Sequence, residues 1–218
     1  MPLNTFLMRS YPKIKRDTSG RSKQINDEIR QIARKFDKEF FDGDRLHGYG
    51  GYHYDGRWKP VVRDFIAYYN LSNNSKILDI GAGKGFMMRD FMEALPSADI
   101  KGIDISEYAV NNCEDCVKNS LFVGNAKKLE FEDDQFDLVI SINTIHNLEL
   151  IDLKASLKEI KRVSRKNIFL VLDSWRTDEE KKRIYEWNLT AKTILSEKEW
   201  IKLFKEINFE CDYDWFIP

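Results

Sequence analysis

Residues 76–86 read KILDIGAGKGF. An apolar run ends in glycines at 81, 83 and 85 and passes into FMMRDFMEAL, which has helical spacing. Alternating glycines between a strand and a helix let the chain turn sharply and let a ligand approach the main chain. The amides that open the next helix favour an electron-rich partner. The dinucleotide fingerprint G-x-G-x-x-G does not fit, because its last position is Phe86. The phosphate loop G-x-x-x-x-G-K-[ST] does not fit either, because Lys84 is followed by Gly85. What stands is D-x-G-x-G-x-G from Asp79, with a purely structural turn as the alternative.

Working outward, IKGIDIS, SLFVGNA, FDLVISIN and NIFLVLDS are further short runs rich in Ile, Val and Leu. Near-continuous apolar runs suit strands buried on both faces of a parallel sheet. Helix candidates separate them: FMMRDFMEAL, EYAVNNCEDCVK with Ser106 as N-cap, and LKASLKEIKRV with Leu153, Leu157 and Ile160 on one face. Strand and helix in alternation predict a doubly wound α/β domain. Toward the C-terminus, Thr177 with Glu180 and Ser196 with Glu199 match helix capping boxes. Trp200, Leu203, Phe204 and Ile207 form an apolar stripe. LTAKTIL and FECDYDWFI are read as two more strands, an antiparallel pair at the sheet edge, which makes a mostly parallel seven-stranded sheet.

The segment before the sheet has another character. Ile25, Ile29, Ile32, Phe36 and Phe40 recur at helical spacing and predict one amphipathic helix over 22–40. FFDGDRLHGYGG breaks it, and Pro60 suits the first turn of the next helix, with 71–75 as a turn. The expected division is an N-terminal helical extension and Gly/aromatic segment over 1–60, then the α/β domain over 61–218. Residues 1–35 carry nine Lys or Arg against three acids, which reads as a solvated basic arm or a polyanion-binding one.

The net charge of -1 supplies no global field for nucleic acid or an anionic membrane. No apolar run approaches the ~18 residues needed to span a bilayer, and the N-terminus lacks signal-peptide order. Cys113 and Cys116 form a C-x-x-C on an expected helix face, and no metal site is expected, since Cys211, His47, His53 and His146 are scattered singly. Reduced thiols point to the cytoplasm.

The glycine turn with its neighbours resembles motif I of the class I S-adenosylmethionine-dependent methyltransferases, with the Rossmann-like methyltransferase fold. IKGIDIS puts Asp104 at the end of the second strand, where the resemblance implies a carboxylate that grips both ribose hydroxyls. GNAKKLEFEDDQFDLVIS resembles the third loop and fourth strand, with Asn125 where the family usually has an Asp that accepts from the adenine amino group. The resemblance implies a cofactor held by Asp79, Gly81, Ala82, Gly83, Gly85, Asp104, Ile105, Asn125, Ala126 and Asn143.

It also gives YGGYHYDGRWKP (49–60) a task. Segments before the first strand often close over cofactor and acceptor in this superfamily. Tyr49, Tyr54 and Arg57 are expected to face the site, the rings beside a sulfonium and Arg57 on a carboxylate. A rigid turn whose rings plug the core is the competing reading. His146, just past the fourth strand, is a candidate general base or a packing histidine, with His53 and Asp173 behind it. The Asn/Asp-Pro-Pro-Tyr/Phe tetrad of DNA amino-methyltransferases is absent, which counts against nucleic acid. The expected activity is methyl transfer to a small polar acceptor: a sugar, an amine or a carboxylated metabolite. RNA- or protein-directed methylation through the basic arm and a non-catalytic cofactor-binding module remain alternatives.

Overall fold

The computed structural model describes residues 7–12 and 24–218. Helices α1 (Asp27–Ala33), α2 (Lys38–Phe41) and α3 (Lys59–Tyr69) precede the sheet. The alternation then runs β1 (Lys76–Ile80), α4 (Phe86–Ala94), β2 (Asp99–Asp104), α5 (Glu107–Asn111), β3 (Leu121–Val123), β4 (Phe136–Ile142), α6 (Leu150–Val163) and β5 (Ser164–Trp175). It closes with α7 (Asp178–Trp187), β6 (Leu195–Ser196), α8 (Glu197–Glu206) and β7 (Asp212–Phe216).

Strands lie in the order β3-β2-β1-β4-β5, and the long strand β5 also pairs with β7 along Phe169–Asp173 and with β6 at Ser174 and Trp175. Alternate residues face opposite ways, so each strand feeds two cores. Leu78, Ile80, Val139, Leu170 and Leu172 pack beneath α6 and α8 with Leu157, Ile160, Trp200 and Phe204. Ile77, Leu138, Ile140, Phe169 and Val171 pack beneath α3 and α4 with Phe65, Met88 and Phe91. Fully buried Leu7 joins the second cluster and pins the N-terminal segment to it. Chain order reverses between β1 and β4, and ligands in such sheets bind at the carboxyl ends of the strands beside that reversal.

Three expectations need correction. The helix over 22–40 is two helices within the described residues, because Phe36 adopts φ 50 and the Asp37 carboxylate caps α2 by accepting from the Lys38 amide at 2.7 Å. Residues 22 and 23 lie outside the described residues. The helix over EYAVNNCEDCVK stops at Asn111, and a 3-10 turn follows at Asp115–Val117. The half-buried Cys113 lies in the break, and the exposed Cys116 lies on the 3-10 turn.

The two C-terminal strands do not form an antiparallel pair. Both run parallel to β5, because α8 lies between them and a helical crossover returns the chain in the same direction. The Ser196–Glu199 capping box is complete. At α7, Thr177 accepts from the Glu180 amide, while Glu180 accepts from the Arg176 amide at 2.7 Å.

Trp200 is fully buried, and its indole N–H donates to the Asp173 carbonyl at 3.0 Å. Trp200→Ala opens a cavity beneath β5 and leaves that carbonyl unpaired, so it should cost about 3–5 kcal/mol. Urea unfolding at constant m-value checks this; a loss below about 1 kcal/mol would show that α8 is not integral to the core.

Candidate functional site

The turn after β1 hangs from the end of β2. The Gly81 and Ala82 amides donate to the Ile103 carbonyl at 2.8 and 3.1 Å. The Gly83 amide donates to Asp104 Oδ2 at 2.7 Å, and Asp104 Oδ1 accepts from the Ser106 amide at 2.9 Å. One carboxylate therefore joins the turn to the start of α5. Gly81, Gly83 and Gly85 have φ of 82, 57 and 79, where a side chain is strained. A Cβ at Gly81 would overlap the Thr144 side chain, and one at Gly85 would lie 2.6 Å from Val117 Cγ2. At Gly83 it would lie 3.2 Å from the Tyr52 ring.

The two carboxylates beneath the turn are buried. Burial, then the charge of Asp104, pushes Asp79 up to about 7. Burial also raises Asp104, although the Ser106, Gly83 and Ile105 amides oppose it.

The aromatic loop is tied to this turn by Asp42, a residue that sequence reasoning missed. Its carboxylate accepts from Lys84 Nζ at 2.6 Å, from the Tyr108 hydroxyl at 2.7 Å and from the Tyr52 amide at 3.0 Å. Burial opposes ionisation of Asp42, but these donors overcome it and hold the carboxyl at about 2. Lys84 is itself buried between the glycines. The Tyr49 and Gly51 amides donate to the carbonyls of Phe40 and Phe41, which fixes the start of the loop on α2.

The expected inward ring at Tyr54 is corrected. Its hydroxyl donates to Asp90 Oδ1, and the Arg89 guanidinium lies 3.7 Å over its ring, so Tyr54 anchors the loop to α4 outside the cavity. Tyr52 faces the turn instead, stacked between Tyr49 at 4.2 Å and Phe86 at 4.5 Å. Side chains two apart in an extended segment share a side, so alternation alone did not separate Tyr52 from its neighbours. Arg57 reaches the cavity wall, but its guanidinium is forked onto Asp55 at 2.6–2.9 Å.

A cavity of about 1520 Å³ opens from the turn. Asp79, Gly81, Ala82, Gly83, Asp104, Ile105, Asn125, Ala126 and Asn143 line it, with Tyr49 and His146, whereas Gly85 lies behind the turn against Val117. Ile105 is 55% exposed, a large apolar side chain left open at the end of β2. The Asn125 amide oxygen accepts from the Lys127 amide at 3.0 Å. Asn143 has φ 53, and its amide donates to the Val171 carbonyl.

His146 is buried, and its Nδ1 accepts from the Asp173 amide at 2.9 Å. A neutral imidazole that accepts at Nδ1 carries its proton on Nε2, which here lies 3.6 Å from Asp173 Oδ1. Burial pushes the His146 pKa down against the pull of Asp173. In this arrangement the ring has no lone pair to offer a substrate, which is the physical objection to a base at this position. The His146 carbonyl accepts from the Lys192 and Thr193 amides at 3.0 Å each, so this residue also holds the loop after α7.

The methyltransferase domain family matches residues 78–172. The chain is 29% identical over 144 residues to a demethylmenaquinone methyltransferase of Thermotoga maritima, covering 66% of this chain and 61% of that protein. It is 26% identical over 156 residues to YrhH of Bacillus subtilis, itself only provisionally named a methyltransferase, covering 69% and 77%. The chain thus spans about three fifths of the length of the Thermotoga protein. The fold superposes on a SAM-dependent methyltransferase from Archaeoglobus fulgidus with a TM-score of 0.55 at 18% identity, covering 70% and 67%. No helix among the described residues is long and apolar enough to cross a membrane.

The raised pKa of Asp79 has a signed consequence. From an unfolded value of 3.8 to a folded value of about 7, the folded protein binds the extra proton, so stability falls as pH rises across that window and is flat above it. Asp79→Asn should remove the slope, leaving the ligand-free variant more stable than the parent at pH 8 and nearly equal to it near pH 3.5. Denaturant titrations at both pH values check this; parallel stability curves would show that Asp79 is ionised in the fold.

Proposed function

We propose that the chain, whose residues 78–172 match the methyltransferase domain family, is a class I S-adenosylmethionine-dependent methyltransferase that carries a methyl group from S-adenosylmethionine to a small polar acceptor in the cavity beyond the glycine turn. The observation that supports this best is the junction of the turn with Asp104. A positive-φ glycine turn opens the main chain to a ligand, and the Asp104 carboxylate, which accepts from the Gly83, Ser106 and Ile105 amides, keeps acceptor capacity for a ribose hydroxyl. Exposed Ile105 offers an apolar face to adenine. The Asn125 oxygen, capping its own turn, keeps one lone pair for the adenine amino group.

Bound S-adenosylmethionine supplies an electrophilic methyl carbon on a sulfonium. The chain's task is to align it with the acceptor and keep water away. The transfer the chain would support leaves the electron pair of the broken carbon–sulfur bond on a neutral thioether and any acceptor proton in solvent, so no residue of the chain need form a covalent bond. The stack of Tyr49 and Tyr52 gives a cation-tolerant wall beside the turn. Asp79, pushed up to about 7 and so only partly ionised at neutral pH in the free protein, can ionise fully when a cation arrives. With its Nδ1 lone pair spent on the Asp173 amide, His146 acts in this reading as a positioning group rather than a base.

Calorimetry tests the reading. S-adenosylmethionine and S-adenosylhomocysteine should each bind at one site, and NAD should not. Asp104→Ala should weaken both by about 1.5–3 kcal/mol, the range for hydrogen bonds to a charged group. Gly83→Val should abolish binding while the sheet still folds. Binding of NAD alone would sink the assignment.

The aromatic loop serves in this reading as a lid, latched at one end by Asp42 on Lys84 and at the other by Tyr54 on Asp90. S-adenosylhomocysteine should slow hydrogen exchange over 43–58, and Asp42→Asn should lose most of that protection. Exchange already slow without ligand, and unchanged by it, would mark the loop as a fixed plug.

A further inference from the structure

The charges around the cavity are sorted by depth. Its acids, Asp79, Asp104, Asp173 and Asp214, all stand on strands at the inner end. Its mouth is formed by the end of α1, the aromatic loop, α7 and the loop after it, and these bring Arg34, Lys35, Arg45, Arg183 and Lys192. The whole chain carries a net charge of only -1, so this concentration of cations is local. A cationic mouth over a low-dielectric cleft focuses its field into the cleft.

The mouth is also built. The Asn188 side chain brackets the loop after α7, donating to the Ala191 carbonyl at 2.8 Å and accepting from the Ala191 amide at 2.7 Å. The Lys192 amide is held by the His146 carbonyl. Lys192 and Arg34 line both the main cavity and an adjoining recess of about 330 Å³. The one acid there, Glu149, lies 3.5 Å from Lys192 Nζ. Arg183 Nε donates to the Pro218 carbonyl at 3.0 Å, and the Arg45 guanidinium lies 5.9 Å over Trp187. In the recess that Arg34 and Lys192 share, Glu149 is the one acid facing two cations and Arg30, and a guanidinium fork with an ammonium is matched by an anionic oxygen pair.

We propose that the methyl acceptor is an anion, a small molecule bearing a carboxylate or a phosphate, held at the mouth by Arg34 and Lys192 while its reacting atom reaches the glycine turn. The proposal rests on the methyltransferase reading above, because it treats the cavity beyond the turn as the acceptor site.

The test is calorimetry on the full chain, with and without saturating S-adenosylhomocysteine. Inorganic pyrophosphate probes the phosphate arm and benzoate the carboxylate arm, with benzamide as the neutral control. At least one anion should bind at a single saturable site where benzamide does not. The Arg34→Ala/Lys192→Ala double variant should weaken that anion about tenfold or more and leave S-adenosylhomocysteine affinity unchanged. No saturable binding of either anion, equal binding of benzamide, or indifference to the double variant would overturn the proposal. So would a single-stranded RNA oligomer that binds far more tightly than either anion and is released by salt, since that would assign the cations to a polyanion. Anion binding that survives while S-adenosylhomocysteine fails to bind would overturn the cofactor reading and uphold the anion site.

Discussion

Positions 81, 83 and 85 of the turn call for glycine, because their φ values are positive and three separate segments press on them from three sides. Thr144, beyond β4, occupies the space of a Gly81 side chain; Tyr52, from the aromatic loop, approaches Gly83; Val117, on the 3-10 turn, fills the space at Gly85. The site is therefore assembled by packing onto backbone. Neighbours that need a bare main chain to dock on leave that main chain as the floor of the cavity. The same φ values that admit the turn aim its amides inward, at Ile103 and Asp104, rather than along a strand. A substitution here alters the cavity floor and the seating of the aromatic loop together.

Asp42 and Lys84 extend this dependence to the N-terminal segment. A largely buried ion pair repays its desolvation only when further hydrogen bonds complete it. Here the Tyr108 hydroxyl and the Tyr52 amide do so on the Asp42 side. Removing one partner strands the other charge beside the glycines, so the pair is more informative about where the loop docks than about how stable the fold is. It also answers why glycines and aromatics are mixed at 48–58: the rings stack on Phe86 and on one another, and the glycines let the chain pass between them.

Much of the fold was legible because its signals were local. Strands β1 to β5 are apolar runs, and α6 and α8 show apolar faces at helical period that the structure buries. The failures lie where a long-range partner decided the outcome. Asp37 and Phe36 split a periodic helix, because a capping carboxylate and a left-handed residue outweigh hydrophobic spacing. Strand direction at the C-terminus depended on α8 serving as a crossover, which no pattern within either strand encodes. In the site, Asp79, Gly81, Gly83 and Asp104 of the motif line the cavity, whereas Gly85 lies behind the turn. Which tyrosine turned inward was invisible, because Tyr54 is drawn outward by Asp90, 36 residues away.

His146 shows how geometry narrows chemistry after residue type has suggested it. A histidine beyond β4 reads as a base because imidazole titrates near neutral pH. Here one ring nitrogen accepts a backbone N–H and the other is directed toward the Asp173 carboxylate, while the residue's carbonyl holds the loop that carries Lys192. All of these contacts are structural, and they connect the end of β5 to the cationic mouth. Under the proposed methyl transfer, such a geometry calls for an acceptor whose nucleophile needs no protein base, either because it is already ionised or because it loses its proton to solvent after transfer. In that proposal, holding the acceptor falls to charge at the mouth and alignment at the turn, and His146 contacts the loop that carries Lys192 through its carbonyl and the end of β5 through its ring.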